Sequence, residues 1–470
     1  ISTSVREFKR DFLKSLKEDN AAIFAGAGLS RTQGFVNWKE LLRELAEYIG
    51  LDVDKESDLA EIAQFYVNSK RQNRHSLNQK LLEEFTKDAV TSENLRILAS
   101  LPIFNYWTTN YDKLLEKALE EQNRKPDVKT AQQDLAQNVP QRDAIVYKMH
   151  GDINRPEETV LIKDDYEAYN EHRKLFTTNL QGDLISKTFL FIGFSFEDPN
   201  LNFILSSIRL LLGENSRDHY CFFRRLQEKD FDYKEDYIYE KTKQDLKIED
   251  LQRYSINAVL VDEYEEITGI LKDIERKYKL NNILISGSAA TYEPFDEKEG
   301  QSFIHELSKS IVDEGWKTIN GFGLGVGDFV INGALQSIKD SKYKKVTDYL
   351  ELKPFPQFGD NLKEQWSSYR EDIISSSGIA IFVFGNKNKN GEIVEADGVL
   401  EEFEIAKKQN KYIIPVGITG HASKTIYEEI RNDSTNYDYL QGHLETLAEE
   451  KEPEKLIKHI IMLIKSIQKY

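Results

Sequence analysis

The chain has 470 residues, room for two or three domains with complete cores, and its formal net charge of −17 argues against broad, non-specific nucleic-acid binding. A lone cysteine, Cys221, excludes internal disulfides and any four-cysteine zinc centre, and no metal site is expected. No apolar run reaches the length of a membrane span and the opening ISTSVREFKRDFLKSLKEDN lacks a signal-peptide core, so a reducing cytoplasm is the expected compartment.

Val5, Phe8, Phe12, Leu13 and Leu16 recur at near-helical spacing and predict an amphipathic helix over residues 4–19. Ala21 to Ala25 form an apolar run of strand length that Gly26-Ala27-Gly28 break at once. Gly26 and Gly28 can take backbone angles that a side chain would forbid, so a ligand could lie against bare amides. Strand, glycine turn and helix start then favour a pyrophosphate, and a tight turn with no ligand is the alternative. Asn37 is the expected N-cap of a helix over 37–49. Residues 57–125 read as mostly helical, broken at Leu101-Pro102-Ile103 and by a strand from Asn105 to Thr109. That strand ends in Thr108-Thr109-Asn110-Tyr111-Asp112, and a helix runs from Lys113 to Glu121. Strands follow at 144–149, closed by His150-Gly151-Asp152, and at 188–192, closed by Gly193-Phe194-Ser195-Phe196-Glu197-Asp198-Pro199-Asn200, with two more at 219–224 and 257–261. Alternating strands and helices predict a mostly parallel sheet covered on both faces, whose ligands sit beyond the C-terminal strand ends. All four motifs fall at such ends, which implies one shared site.

A helix over 264–280 leads to a second start: strand 282–286 with Gly287-Ser288, helix 298–313, strand 317–320, then Gly321 to Gly327 opening another helix, and strands at 379–384 and 412–416. The expected architecture is α/β, two doubly wound Rossmann-like domains spanning residues 1–280 and 281–470.

GAGLSRTQG at 26–34, TTNYD at 108–112, HGD at 150–152 and GFSF at 193–196 resemble, in order and spacing, the motif set of the sirtuin (Sir2) family, here with a helical insertion. ISGSA at 285–289 and GFGLGVG at 321–327 resemble SLOG domains, relatives of the LOG nucleotide hydrolases. The pairing resembles the effectors of Thoeris antiphage defence. The first resemblance implies NAD⁺ as substrate, held by Ala25, Gly26, Ala27, Gly28, Ser30, Phe35, Asp112, Gly193 and Ser195. It implies Asn110 to position the attacking water and His150 as general base. Read from residue type alone, Asn110 could instead cap helix 112–121, His150 could be a hydrogen-bonded turn residue, and Asp112 could be structural. Ser30 could cap the next helix, Gly193 and Ser195 could form a tight turn and cap ahead of Pro199, and Phe35 and Trp38 could fill core. Asp262 and Glu263 are candidates for the adenine end.

Two departures matter. The four-cysteine zinc module of sirtuin deacylases is missing, and Val36-Asn37-Trp38-Lys39 stands where that family carries Pro-Asp-Phe-Arg, so NAD⁺ cleavage is favoured over protein deacylation or ADP-ribosyl transfer. In the second domain the resemblance implies amide donors at Gly287, Ser288, Gly323, Gly325 and Gly327. It implies positive charge from Arg370 and Lys387, and Glu402 at ribose hydroxyls; solvated surface charge is the alternative for each cation. Asp397-Gly398-Val399-Leu400-Glu401-Glu402-Phe403 matches a degraded second LOG motif, which implies a sensor rather than a hydrolase. The resemblance further implies activation by a cyclic ADP-ribose isomer from a partner TIR-domain protein, and a homotetramer. A non-catalytic nucleotide sensor is the reading from a different class.

Overall fold

The computed structural model describes residues 2–31, 33–196, 198–356, 358 and 360–469. Thr32 of the first glycine motif and Glu197 of the fourth lie outside the described residues. The chain divides into two compact units, Ile1–Glu275 and Arg276–Tyr470.

The first unit is built on β1 (Ala21–Ala25), β2 (Asn105–Thr108), β3 (Pro126–Lys129), β4 (Ala144–Lys148), β5 (Thr188–Ile192), β6 (His219–Arg224) and β7 (Ile256–Val261). They form one parallel sheet in the order β3-β4-β2-β1-β5-β6-β7. Every residue of β1, β2, β4 and β5 is buried, as a sheet clad on both faces requires. Trp107 stacks on Tyr147 at 4.1 Å between ring centres, and its indole N–H donates to Asp183 Oδ2 at 2.8 Å. Asn37 caps the helix Trp38–Tyr48 in a reciprocal capping box with Glu40, the arrangement its position in the sequence predicts. Helices Leu59–Ser69, His75–Phe85 and Glu93–Ser100 fill the stretch before β2.

β3 departs from expectation. Pro126-Asp127-Val128-Lys129 carries no apolar run, and it holds the sheet edge through a buried Asp127–Lys129 ion pair at 2.8 Å, with Arg142 as a second cation on Asp127. Charge pairing replaced the hydrophobic signal there.

The second unit contains β8 (Asn282–Ser288), β9 (Lys317–Asn320), β10 (Leu350–Leu352), β11 (Ile379–Phe384), β12 (Asn386–Lys389), β13 (Glu392–Glu395) and β14 (Tyr412–Pro415). Five of these make a parallel sheet in the order β10-β9-β8-β11-β14, and β12 and β13 pair as a separate hairpin. Asn390 and Gly391 both take positive φ, 56° and 93°, the two-residue turn that Asn-Gly favours; this hairpin and β10 were not expected. Among the described residues no helix is long and apolar enough to cross a membrane.

Candidate functional site

In the first sheet, Ala25 pairs with Thr108 and with Ile192, and Thr108 pairs with Lys148. The four motifs therefore leave the sheet at one level, with Asn110 and His150 two residues beyond adjacent strand ends. Neighbouring strands are about 4.8 Å apart, so the loops converge without any need for long reach.

The glycine turn works differently from the bare-amide expectation. Gly26 N–H donates to the Ile192 carbonyl and Gly28 N–H to the Gly193 carbonyl, each at 2.9 Å. A Cβ on Gly26 would lie 2.3 Å from the Gly193 oxygen, and one on Gly193 (φ 66°) would lie 2.5 Å from Leu29 N. Glycine is required because two loops press backbone on backbone. The Ala27 carbonyl accepts from Ser30 and Arg31 and so starts the short helix Gly28–Arg31.

Asn110, Ser30 and Asp112 form a closed triad beside this turn. Asn110 Nδ2 donates to the Gly26 carbonyl and to Ser30 Oγ, both at 3.1 Å, and Ser30 Oγ donates to Asp112 Oδ2 at 2.7 Å. The other Asp112 oxygen accepts from Leu114 N–H at 2.9 Å. Asn110 does not cap the helix Leu114–Glu121, whose N-cap Lys113 makes no side-chain cap bond, and Ser30 caps no later helix, because Asn37 does so. Ala25, Ser30, Asn110 and Asp112 line a cavity of about 10 Å³ with Leu29 and Leu114, room for about one water molecule. Beneath it, Lys148 is fully buried and donates to the Asp112 carbonyl at 2.6 Å while pairing with Asp152 and, at 2.8 Å, with Glu116. Burial presses its ammonium pKa down, but the two carboxylates more than offset that and hold it above the usual lysine value. One cation thereby ties the TTNYD loop to the HGD loop.

His150, 5 % exposed, sits edge-on to Tyr166 and Tyr169, with ring centres at 5.6 and 6.4 Å. Its Nε2 lies 2.9 Å from Asp198 Oδ2. The carboxylate is off the ring N–H axis, so the contact is electrostatic rather than an aligned hydrogen bond. Asp198 stands in the GFSFEDPN loop but was singled out by no sequence argument; Asp ahead of Pro199 is a helix-start signal, which hid a second use of the same side chain. The Ser195 carbonyl accepts from Lys247 at 2.8 Å. Phe35 is buried and stacks on Phe85, which meets Tyr111 edge-on, and Trp38 stacks on Tyr166 with its indole N–H buried and without a hydrogen-bond partner. Asp262 and Glu263 do not join this group: they pair with Arg225 and with Arg224 and Lys229 at the end of β7, the far edge of the sheet.

The second unit holds a larger cavity, 140 Å³, at the C-terminal ends of β8 and β9. Gly287, Ser288, Gly323, Arg370 and Glu402 line it; Gly325, Gly327 and Lys387, expected with them, do not. A Cβ on Gly325 would lie 2.0 Å from the Ala289 oxygen, Gly327 packs under Phe322, and the Lys387 ammonium is held 2.7 Å from Asp397. Arg370 donates to Glu401 at 2.8 Å and lies 5.1 Å from the Phe355 ring, while its Nε–H is buried with no hydrogen-bond partner and 3.9 Å from Glu402. Burial pushes the Glu402 carboxyl up to about 7, against the lowering pull of Ser286 Oγ and Arg370. Ser286, Asn320, Phe355 and Gly398 also line the cavity and were not singled out; Ser286 and Gly398 lie inside quoted motifs, whereas Asn320 and Phe355 sit at a strand end and in a loop with no motif of their own.

Comparison with known proteins matches residues 105–249 to the SIR2-like domain and residues 266–467 to the Sir2- and TIR-associating SLOG family. An NAD(+) hydrolase ThsA from Cytobacillus dafuensis is 52% identical over 449 residues, covering 93% of this chain and 90% of that protein. Another from Enterococcus faecium is 47% identical over 470 residues, covering 97% and 98%. The Defense-associated sirtuin 2 of Bacillus subtilis is 27% identical over 295 residues, covering 58% of this chain and 28% of that protein.

Proposed function

Because the chain belongs to the NAD(+) hydrolase ThsA family, we propose that its first unit hydrolyses NAD⁺ to nicotinamide and ADP-ribose as an effector of antiphage defence. The observation that carries this reading is the convergence of Asn110, Ser30 and Asp112 with the glycine turn, one strand away from His150. Cleavage breaks the bond between nicotinamide and the anomeric ribose carbon; the electron pair leaves with nicotinamide and an oxocarbenium-like state develops. Asn110, its amide plane held by two Nδ2 bonds, presents its oxygen to the attacking water, whose proton passes to His150. Gly193 and Ser195 lie under the ribose-phosphate. NAD⁺ is the substrate.

The cavity of about 10 Å³ beside Asn110 has room for about one water molecule, and His150, Gly193 and Ser195 do not line it. The activating signal is read at the second unit, a cyclic ADP-ribose isomer made by a TIR-domain partner. What supports this is the unpartnered Arg370 Nε–H beside Glu402 in a cavity lined by glycine backbone, an arrangement suited to phosphate and ribose. Such a ligand activates only by preferring the active arrangement of the chain, which we take to be a homotetramer, and the outcome in the cell is depletion of NAD⁺. Incubating the pure protein with NAD⁺, with and without cyclic ADP-ribose isomers, tests both halves. Release of nicotinamide that rises with the isomer is expected, and dependence on an acylated peptide would replace the reading with deacylation.

A further inference from the structure

We propose that Asp198 is the positioning residue for His150 in the first unit, a role that rests on the reading of that unit as an NAD⁺-cleaving site. The sheet order separates β5 from β4 by β1 and β2, yet Asp198, in the loop that follows β5, lies against the imidazole that follows β4. An N-cap on the helix Pro199–Leu212 has no need of that reach. The two oxygens of Asp198 are divided between two tasks: Oδ1 accepts from Leu201 N–H at 2.9 Å, which sets the carboxylate plane, and Oδ2 is then turned to His150 Nε2 at 2.9 Å. Both side chains are buried, 6 % and 7 % exposed, so solvent screens the pair little.

Tyr166 and Tyr169 flank the imidazole from the short helices Lys163–Glu167 and Tyr169–His172, and burial raises the pKa of both phenols, so they stay neutral. Once substrate fixes the ring and turns Nε2–H onto the carboxylate, the lone pair of Nδ1 is left to accept the proton that the attacking water releases, and the imidazolium that results faces an anion.

Asp198→Asn tests this, because asparagine also caps helices and keeps the Leu201 bond while removing the charge. The expected result is a kcat lower by roughly tenfold or more, with KM, direct NAD⁺ binding and melting temperature close to the parent, and partial recovery of kcat in Asp198→Glu. An unchanged or raised kcat, or a loss confined to KM or to folding, overturns the assignment. Asp198→Ser, a second capping substitution without charge, guards against a misfolded variant and is expected to match Asp198→Asn. A parent protein that cleaves no NAD⁺ overturns the functional reading and the assignment with it, whereas an active parent with equally active variants removes the assignment alone.

Discussion

The two glycine-rich strand ends use the same residue to opposite effect. In the first unit Gly26, Gly28 and Gly193 let two loops meet backbone to backbone, and the polar side chains beside them bond to one another. In the second, Gly287 and Gly323 make equally close approaches, but they leave 140 Å³ open, with a buried arginine N–H lacking a partner and a carboxyl driven up to about 7. The first site keeps unmet groups of its own, His150 Nε2 and the Trp38 indole N–H, but the Asn110–Ser30–Asp112 triad beside its glycine turn is bonded within itself. In the second the unmet arginine donor and the raised carboxyl line an open cavity, where a ligand that meets them gains at once.

The sharpest break would come at the first site. His150→Ala and Asn110→Ala are each expected to reduce nicotinamide release by roughly a hundredfold to ten-thousandfold, while binding of a cyclic ADP-ribose isomer stays at parental affinity by calorimetry. Turnover unchanged in both variants would remove Asn110 and His150 from the chemistry.

Next in size is a pH effect confined to the second unit. Folding raises the Glu402 carboxyl to about 7 through burial, so the folded state holds its proton more tightly than the unfolded chain does. Stability from this group is complete below the ordinary glutamate range and is lost as pH rises through about 7, a swing of about 3 kcal/mol. The thermal midpoint of the second unit should fall between pH 5 and pH 8 (roughly the span over which such a group titrates), and Glu402→Gln should flatten that fall. Equal slopes in parent and variant would mean the carboxyl is not strained.

Gly193→Ala puts a methyl 2.5 Å from Leu29 N at a φ of 66° and is expected to cost about 2 kcal/mol in the first unit, with activity lost in step. A variant as stable as the parent in denaturant melts would show that the loops are not pressed together. Of similar size is Arg370→Ala, expected to raise the activator concentration for half-maximal cleavage by roughly tenfold to a hundredfold, the worth of about 1.5–3 kcal/mol in a charged hydrogen bond, with NAD⁺ binding untouched. Equal activation in parent and variant would move the sensing site elsewhere.

The motif-bearing strand ends were legible because buried parallel strands are short apolar runs, and Gly, Asn and His mark where they stop. Ala21 to Ala25 and Thr188 to Ile192 stand where the sequence places them, as do Asn37 and its helix. Strand β3 and the hairpin from Asn386 to Glu395 were not, since their stability comes from ion pairing and turn geometry rather than hydrophobic contrast. Asp198 and Lys148 were invisible for a related reason: a capping aspartate and a strand lysine look ordinary until the partners they meet are known.

Local patterning by itself determined the class of each unit, the level at which its loops leave the sheet and the residue types available there, because hydrophobic period and glycine breaks act over a few neighbours. Only the tertiary structure decided which side chains are already satisfied and which still want a partner. Hydrogen bonds such as Ser30 to Asp112, 82 positions apart, and the bare Nε–H of Arg370 depend on how distant segments come to rest.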